Sequence, residues 1–176
     1  MELFISFLVI SIIGTVLHFT YELSGHNKYV AIFSAVNEST WEHIKIGLSP
    51  MLLWGLFDGF KYGSNQNYFF AKSLSLLILI TIVPVLFYGY KIFTKKSFLI
   101  IDILIFYIAI FAGEWVFYYV INNLLPNYIL GYIGSILLFI IFGFYLLLTL
   151  WPIKNELFID PITKKYGIKG HSHNHD

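Results

Sequence analysis

The sequence predicts an all-α integral membrane protein, a helix bundle of about five spans with one short interfacial or re-entrant segment. Three observations predict it. The chain of 176 residues is 58% hydrophobic and only 12% charged, with mean hydropathy +0.76, whereas a water-soluble domain carries roughly a quarter charged residues. Five apolar runs reach the roughly 17–25 residues needed to cross a bilayer. The lysines fall unevenly between alternate loops, as they do in oriented membrane proteins.

The runs lie at about 3–19, 44–60, 68–92, 98–121 and 128–150. The first follows Met-Glu-Leu-Phe without a positive leader, so it is expected to be retained rather than cleaved as a signal peptide. The apolar stretch 29–36 is too short to cross; it lies in the interface or dips in against protein. Pro50 and Pro84 fall inside the second and third runs, and each removes a backbone donor and bends its helix. Trp41 and Trp151 mark one boundary, since indole rings favour the headgroup level. No internal repeat is visible, and an odd number of spans does not divide into two inverted halves. One transmembrane domain is expected over 1–151, followed by a tail over 152–176 whose last residues are disordered.

Lysine placement orients the bundle. Lys28, Lys45, Lys91, Lys95, Lys96, Lys154, Lys164, Lys165 and Lys169 fall on one side, against Lys61 and Lys72 on the other. By the positive-inside rule the N-terminus is outside and the C-terminus cytoplasmic. Abundant Ile, Phe, Tyr, Asn and Lys with no Arg suggests an AT-rich bacterial genome, hence a bacterial cytoplasmic membrane. A net charge of +1 and the lack of a concentrated basic face argue against nucleic acid as a partner; membrane lipid is the expected one. With no cysteine, disulfides, thiolate metal sites and cysteine nucleophiles are excluded.

Function is expected at the tail side. His18 and Glu22 stand four apart on one helix face, and Asn37-Glu38-Ser39-Thr40-Trp41-Glu42-His43 precedes the second run. Imidazole nitrogen and carboxylate oxygen suit zinc or a similar divalent ion, and three such ligands leave a fourth position for water. The ligands on this basis are His18, Glu38 and His43, with Glu38, Glu22 or Glu42 available for catalysis. The competing structural role belongs mainly to Glu42, because Ser39-Thr40-Trp41-Glu42 fits a capping box, with Asn37 as a rival N-cap. Glu38 precedes the cap and has no such duty.

Deeper charges form a second group: Asp102 near the inner end of the fourth run, and Glu114 twelve residues on, roughly 18 Å along a helix. Lys72 is expected to pair with Glu114, because an isolated charge in a membrane is costly. The alternative is a polar pathway from Glu114 through Asp102 to the tail-side cluster. Asp58 and Lys61 look like a boundary pair. In the tail, Asp160-Pro161 with Thr163 predicts an Asx-type turn, either a plain turn or a lid folding back beneath the heptapeptide. His171, His173 and His175 alternate in a solvated ending able to bind a transition metal weakly.

His18-Phe19 with Tyr21-Glu22, Asn37-Glu38-Ser39-x-Trp41-Glu42-His43-x-Lys45, Asp102, Leu157-Phe158-x-Asp160-Pro161-x-Thr163 and Tyr166-Gly167 together resemble a family of small bacterial multi-spanning membrane proteins of unknown function. The resemblance extends to about Ile168 and implies a membrane protein with no assigned activity. Two functions from different classes then compete. One is a hydrolase that uses one divalent metal ion against a lipid-like substrate, although no His-Glu-x-x-His motif is present. The other is a cation- or proton-coupled transporter working through the same carboxylates, for which five spans are few and a homo-oligomer is expected. A non-catalytic membrane partner of a larger complex is the third, plainer role.

Overall fold

Apolar runs of this length close their backbone hydrogen bonds internally, as a lipid environment demands. The computed structural model describes residues 1–171. It contains five long helices: α1 (Glu2–Leu23), α2 (Thr40–Tyr62), α3 (Tyr68–Thr94), α4 (Leu99–Asn123) and α5 (Tyr128–Leu150), with 3-10 turns at Val30–Ile32 and Gly167–Gly170. The short links after α2, α3 and α4 make consecutive helices antiparallel. The ends of α1, α3 and α5 therefore meet the starts of α2 and α4 at one end of the bundle, here the tail end.

Helices α1, α3, α4 and α5 are each long and apolar enough to cross a membrane, with hydropathies of 2.1 to 2.5. The sequence counts α2 as a fifth apolar span; the structure qualifies that count. Its 23 residues give it the length, but it carries Glu42, Lys45, Asp58 and Lys61 and falls outside the apolar set. It packs instead against α1, α3 and α4, with every residue from Thr40 to Met51 buried except His43. Its neighbours shield Glu42, Lys45 and Asp58, while Lys61 is exposed. The core around it comprises Ile10, Leu48, Met51, Leu76, Leu79 and Ile110, all at most 1% exposed.

Polarity is inverted relative to a protein in water. Ser6, Ser73, Ser75, Lys72 and Glu114 are buried, while Phe60, Phe93 and Phe139 are 91%, 85% and 79% exposed. An apolar exterior of this extent is stable only against apolar surroundings. This is a membrane protein. Helix contact then depends on close backbone approach. A Cβ on Gly134 would meet the backbone nitrogen of Phe70, so this glycine permits the α3–α5 contact. The carbonyl that Pro50 leaves without its helical donor is that of Ile46, and α1 passes it at Gly14, where a Cβ would stand 2.9 Å from the oxygen.

Residues 152–171 fold back on the tail end. A single antiparallel bridge, Ile159 to Tyr166, closes the Asp160-Pro161 turn. The Trp41 backbone N–H donates to Leu157 O over 2.9 Å, and the Trp41 and Phe158 rings lie 5.2 Å apart.

Candidate functional site

The site is set by how the chain leaves α1 and enters α2. Ser34 inserts its hydroxyl into the last turns of α1: it accepts from Tyr21 N at 2.8 Å and donates to Leu17 O at 2.5 Å. The donor and acceptor it bridges are four residues apart, so the hydroxyl replaces a rung of the helical ladder beside His18. Ala35 N donates to the same Leu17 carbonyl at 3.2 Å. The segment leading to Glu38 is thus anchored against the residue before His18.

Three side chains converge there. Glu38 Oε2 stands 3.8 Å from His18 Nε2 and 3.6 Å from His43 Nε2, and the imidazole centroids are 5.4 Å apart. One ligand atom from each of the three residues fits within a mutual separation of 4.8 Å. These gaps are too long for hydrogen bonds. They slightly exceed the about 3.3 Å that separates two ligands of a tetrahedral zinc bound at about 2.0–2.1 Å, so small side-chain movements bring them to coordination distance. His43 Nδ1 donates to Ser39 O at 2.9 Å. A carbonyl only accepts, so this bond assigns the proton of the neutral ring to Nδ1 and leaves the Nε2 lone pair facing Glu38, the arrangement usual for metal-binding histidine. The Glu38 side chain is 46% exposed and the two histidines 28% and 31%, so the site opens to the outside. The donor set suits zinc or a similar divalent ion.

The tail holds Glu38 from the far side. Asp160 Oδ1 accepts from Glu38 N at 3.0 Å, while its Oδ2 accepts from Ile162 N, Thr163 N and Thr163 Oγ1 at 3.1, 2.5 and 2.7 Å. Asn37 Nδ2 donates to Gly167 O at 2.9 Å, and His171 Nδ1 donates to Val36 O at 3.1 Å. The Asp-Pro turn therefore does form, and it also packs beneath the heptapeptide. His173 and His175 lie outside the described residues.

Several expected partners are exchanged. The capping box is absent: Ser39 occupies the N-cap position but makes no side-chain cap bond, and its N–H is satisfied by Asn37 Oδ1 at 2.8 Å. Glu42 reaches past the cap, where Oε2 accepts from Val36 N at 2.9 Å and lies 2.6 Å from Lys45 Nζ. Lys45 donates onward to Ala31 O at 2.8 Å and is fully buried, so it is no loop lysine. Glu22 is exposed at the end of α1 and is not among the three clustered side chains.

The deeper charges also re-pair. Lys72 lies 2.6 Å from Asp58 Oδ2 and 3.7 Å from Glu114 Oε1, with its ammonium 4.3 Å from the Phe117 ring centroid. Lys61 is not the partner of Asp58; it pairs with Glu2 at the opposite end of the bundle. The Lys72–Glu114 approach stands, as the longer arm of a buried triad. Asp102 accepts from Tyr90 OH at 2.5 Å, tying the start of α4 to the end of α3. The buried α4 residues between Asp102 and Glu114 are Ile105, Phe106, Ala109, Ile110 and Gly113, none with a polar side chain.

The sequence model of a family of unknown function (DUF6512) matches residues 2–168. The chain belongs to that family. No curated protein and no solved structure matches it. The matched span includes the Asp160-Pro161 turn that packs beneath Glu38. Sequence reasoning missed Ser34 and the Glu42–Lys45 pair. The pair was detectable from its i,i+3 spacing. Ser34 carries no local signal, because its partners lie 13 and 17 residues away.

Proposed function

We propose that His18, Glu38 and His43 hold one divalent metal ion and that the protein is a metal-dependent hydrolase acting on a lipid-like substrate at the membrane boundary. The observation that carries this is the convergence of three ligand atoms from two chain segments with the far nitrogen of His43 already committed to a backbone carbonyl. A bound divalent ion would supply a water of near-neutral pKa at the open position and polarise an ester or amide carbonyl. Glu38 and His43 are held for this by Asp160 and Ser39. Glu22, four residues after His18 on the same helix face, is the candidate to take a proton from the attacking water, while Glu42 is bound to Val36 and Lys45 in a structural role. The remaining lysine bias supports a cytoplasmic location for this end of the bundle.

Metal analysis of the purified protein tests the proposal. Zinc, manganese or iron near one per chain, lost in the Glu38→Ala/His43→Ala variant while helicity and melting are retained, is the expected result. Protein that carries no metal and takes none up on titration refutes it. A narrower observation favours cation- or proton-coupled transport: Lys72 faces two carboxylates, Asp58 and Glu114, so that the buried triad has one acid beyond charge balance. Ion flux into liposomes that is abolished by Glu114→Gln, with metal content irrelevant to it, would select transport.

A further inference from the structure

A second concavity opens at the tail end and shares no residue with the His18–Glu38–His43 cluster. Its volume is about 620 Å³, and it lies between the 30–32 turn, the end of α5 and residues 164–169. Its charged lining among the described residues is Lys28, Lys45, Lys154, Lys164, Lys165 and Lys169, without one Asp or Glu. Five of the chain's 11 basic residues thus face one cleft in a protein of net charge +1, with Lys45 buried at its wall. Lys45 is neutralised by Glu42. None of the other five forms an ion pair among the described residues.

The rest of the lining is apolar where it meets the bundle, at Ile32, Val36 and Leu150. Thr149 also lines the cleft, and its Oγ1 is buried with no hydrogen-bond partner among the described residues. Clustered like charges repel one another and raise the energy of the empty cleft, which an anion relieves. Lysine ammonium groups suit phosphate, which accepts several point-charge donors from different directions. The cleft also lies at the membrane boundary: α5 ends at Leu150, with Leu147 and Leu150 more than half exposed and Trp151 69% exposed. An acyl chain can therefore run along the outer face of α5 while its headgroup sits among the lysines.

We propose that this cleft binds the phosphate group of an anionic membrane lipid. The site is independent of the metal cluster and stands whether or not a metal is bound. Lys165 and Lys169 are exposed, so their neutralisation leaves the fold intact. Lys95 and Lys96, in the link between α3 and α4, are exposed at the same end but do not line the cleft. They provide a charge-matched control.

The experiment uses the full chain in nanodiscs of phosphatidylcholine containing phosphatidylglycerol. The lipid retained per protein is counted by native mass spectrometry after transfer to a neutral detergent, and melting is measured alongside. Lys165→Gln/Lys169→Gln should lower phosphatidylglycerol retention roughly thirty-fold, as two interfacial lysines contribute to binding an anionic headgroup, with unchanged melting. Lys95→Gln/Lys96→Gln should lower it less than two-fold, and phosphatidylcholine should not be retained by either. Equal losses in the two variants would mean a general basic surface and overturn the cleft. Inorganic phosphate that binds the protein in the absence of any retained phosphatidylglycerol would overturn the lipid as its source.

Discussion

Replacing Glu42 by Gln preserves shape and leaves an acceptor for Val36 N–H, yet it removes the counter-charge of Lys45. That ammonium is 2.6 Å from the carboxylate and fully buried. Stranding one member of a buried pair costs about 3–5 kcal/mol. The bond from Lys45 to Ala31 O is common to both chains and cancels, so Glu42→Gln should destabilise by about 3–5 kcal/mol. Lys45→Met should cost a similar amount by leaving the carboxylate unpaired. The double variant Glu42→Gln/Lys45→Met should recover most of the loss, because neither charge is then buried alone. Reversible unfolding in mixed micelles would measure all three against wild type. The capping box inferred from sequence makes the opposite forecast for Glu42→Gln, a change of only a few tenths of a kcal/mol, since glutamine serves equally well there. If both single variants lie within 0.5 kcal/mol of wild type, or if the double variant is merely additive, the pair is not what holds residues 31–36 to α2.

Three other outcomes follow from the same contacts. Asp160→Ala removes the acceptor of Glu38 N and three bonds within its own turn; it should weaken zinc binding about 10–100-fold without deleting a ligand, as loss of a ligand's support typically does, measured by competition with a chelator. Lys72→Met should lower folded yield by leaving Asp58 and Glu114 buried without a cation, and Asp58→Asn/Lys72→Met/Glu114→Gln should restore much of it, both scored by size-exclusion recovery. Gly134→Val should separate α3 from α5, because its side chain would meet the Phe70 backbone; overpacking of about 1–3 kcal/mol or more would appear as a lowered melting temperature, and wild-type melting would refute the close contact.

The spans, their alternation and the ligand chemistry of His18, Glu38 and His43 were legible in the chain itself. Span length follows from bilayer thickness and donor type from residue type, so both are local properties, whereas the convergence of the three side chains rests on the anchoring of residues 34–35 to α1. Only α2 escaped this logic. It is too polar to count among the apolar spans, and Glu42, Lys45 and Asp58 are each at most 4% exposed within the bundle, while its second half turns Leu56, Phe57 and Phe60 outward. The partners of the charges were not legible. Asp58 had Lys61 three residues away and chose Lys72 on another helix, because a buried carboxylate gains far more from a buried cation than from an exposed one in water. Glu42 likewise took Lys45 and Val36 over its own cap. The Asp-Pro turn was local and was predicted; that it would hold Glu38 N across 122 residues was decided when the tail packed beneath α2. Sequence alone determined what this protein is made of and which solvent it faces, since hydrophobicity and helical period act over one turn or one span. Tertiary structure decided which polar groups meet, since in a low-dielectric interior each buried charge takes the partner that packing brings within reach.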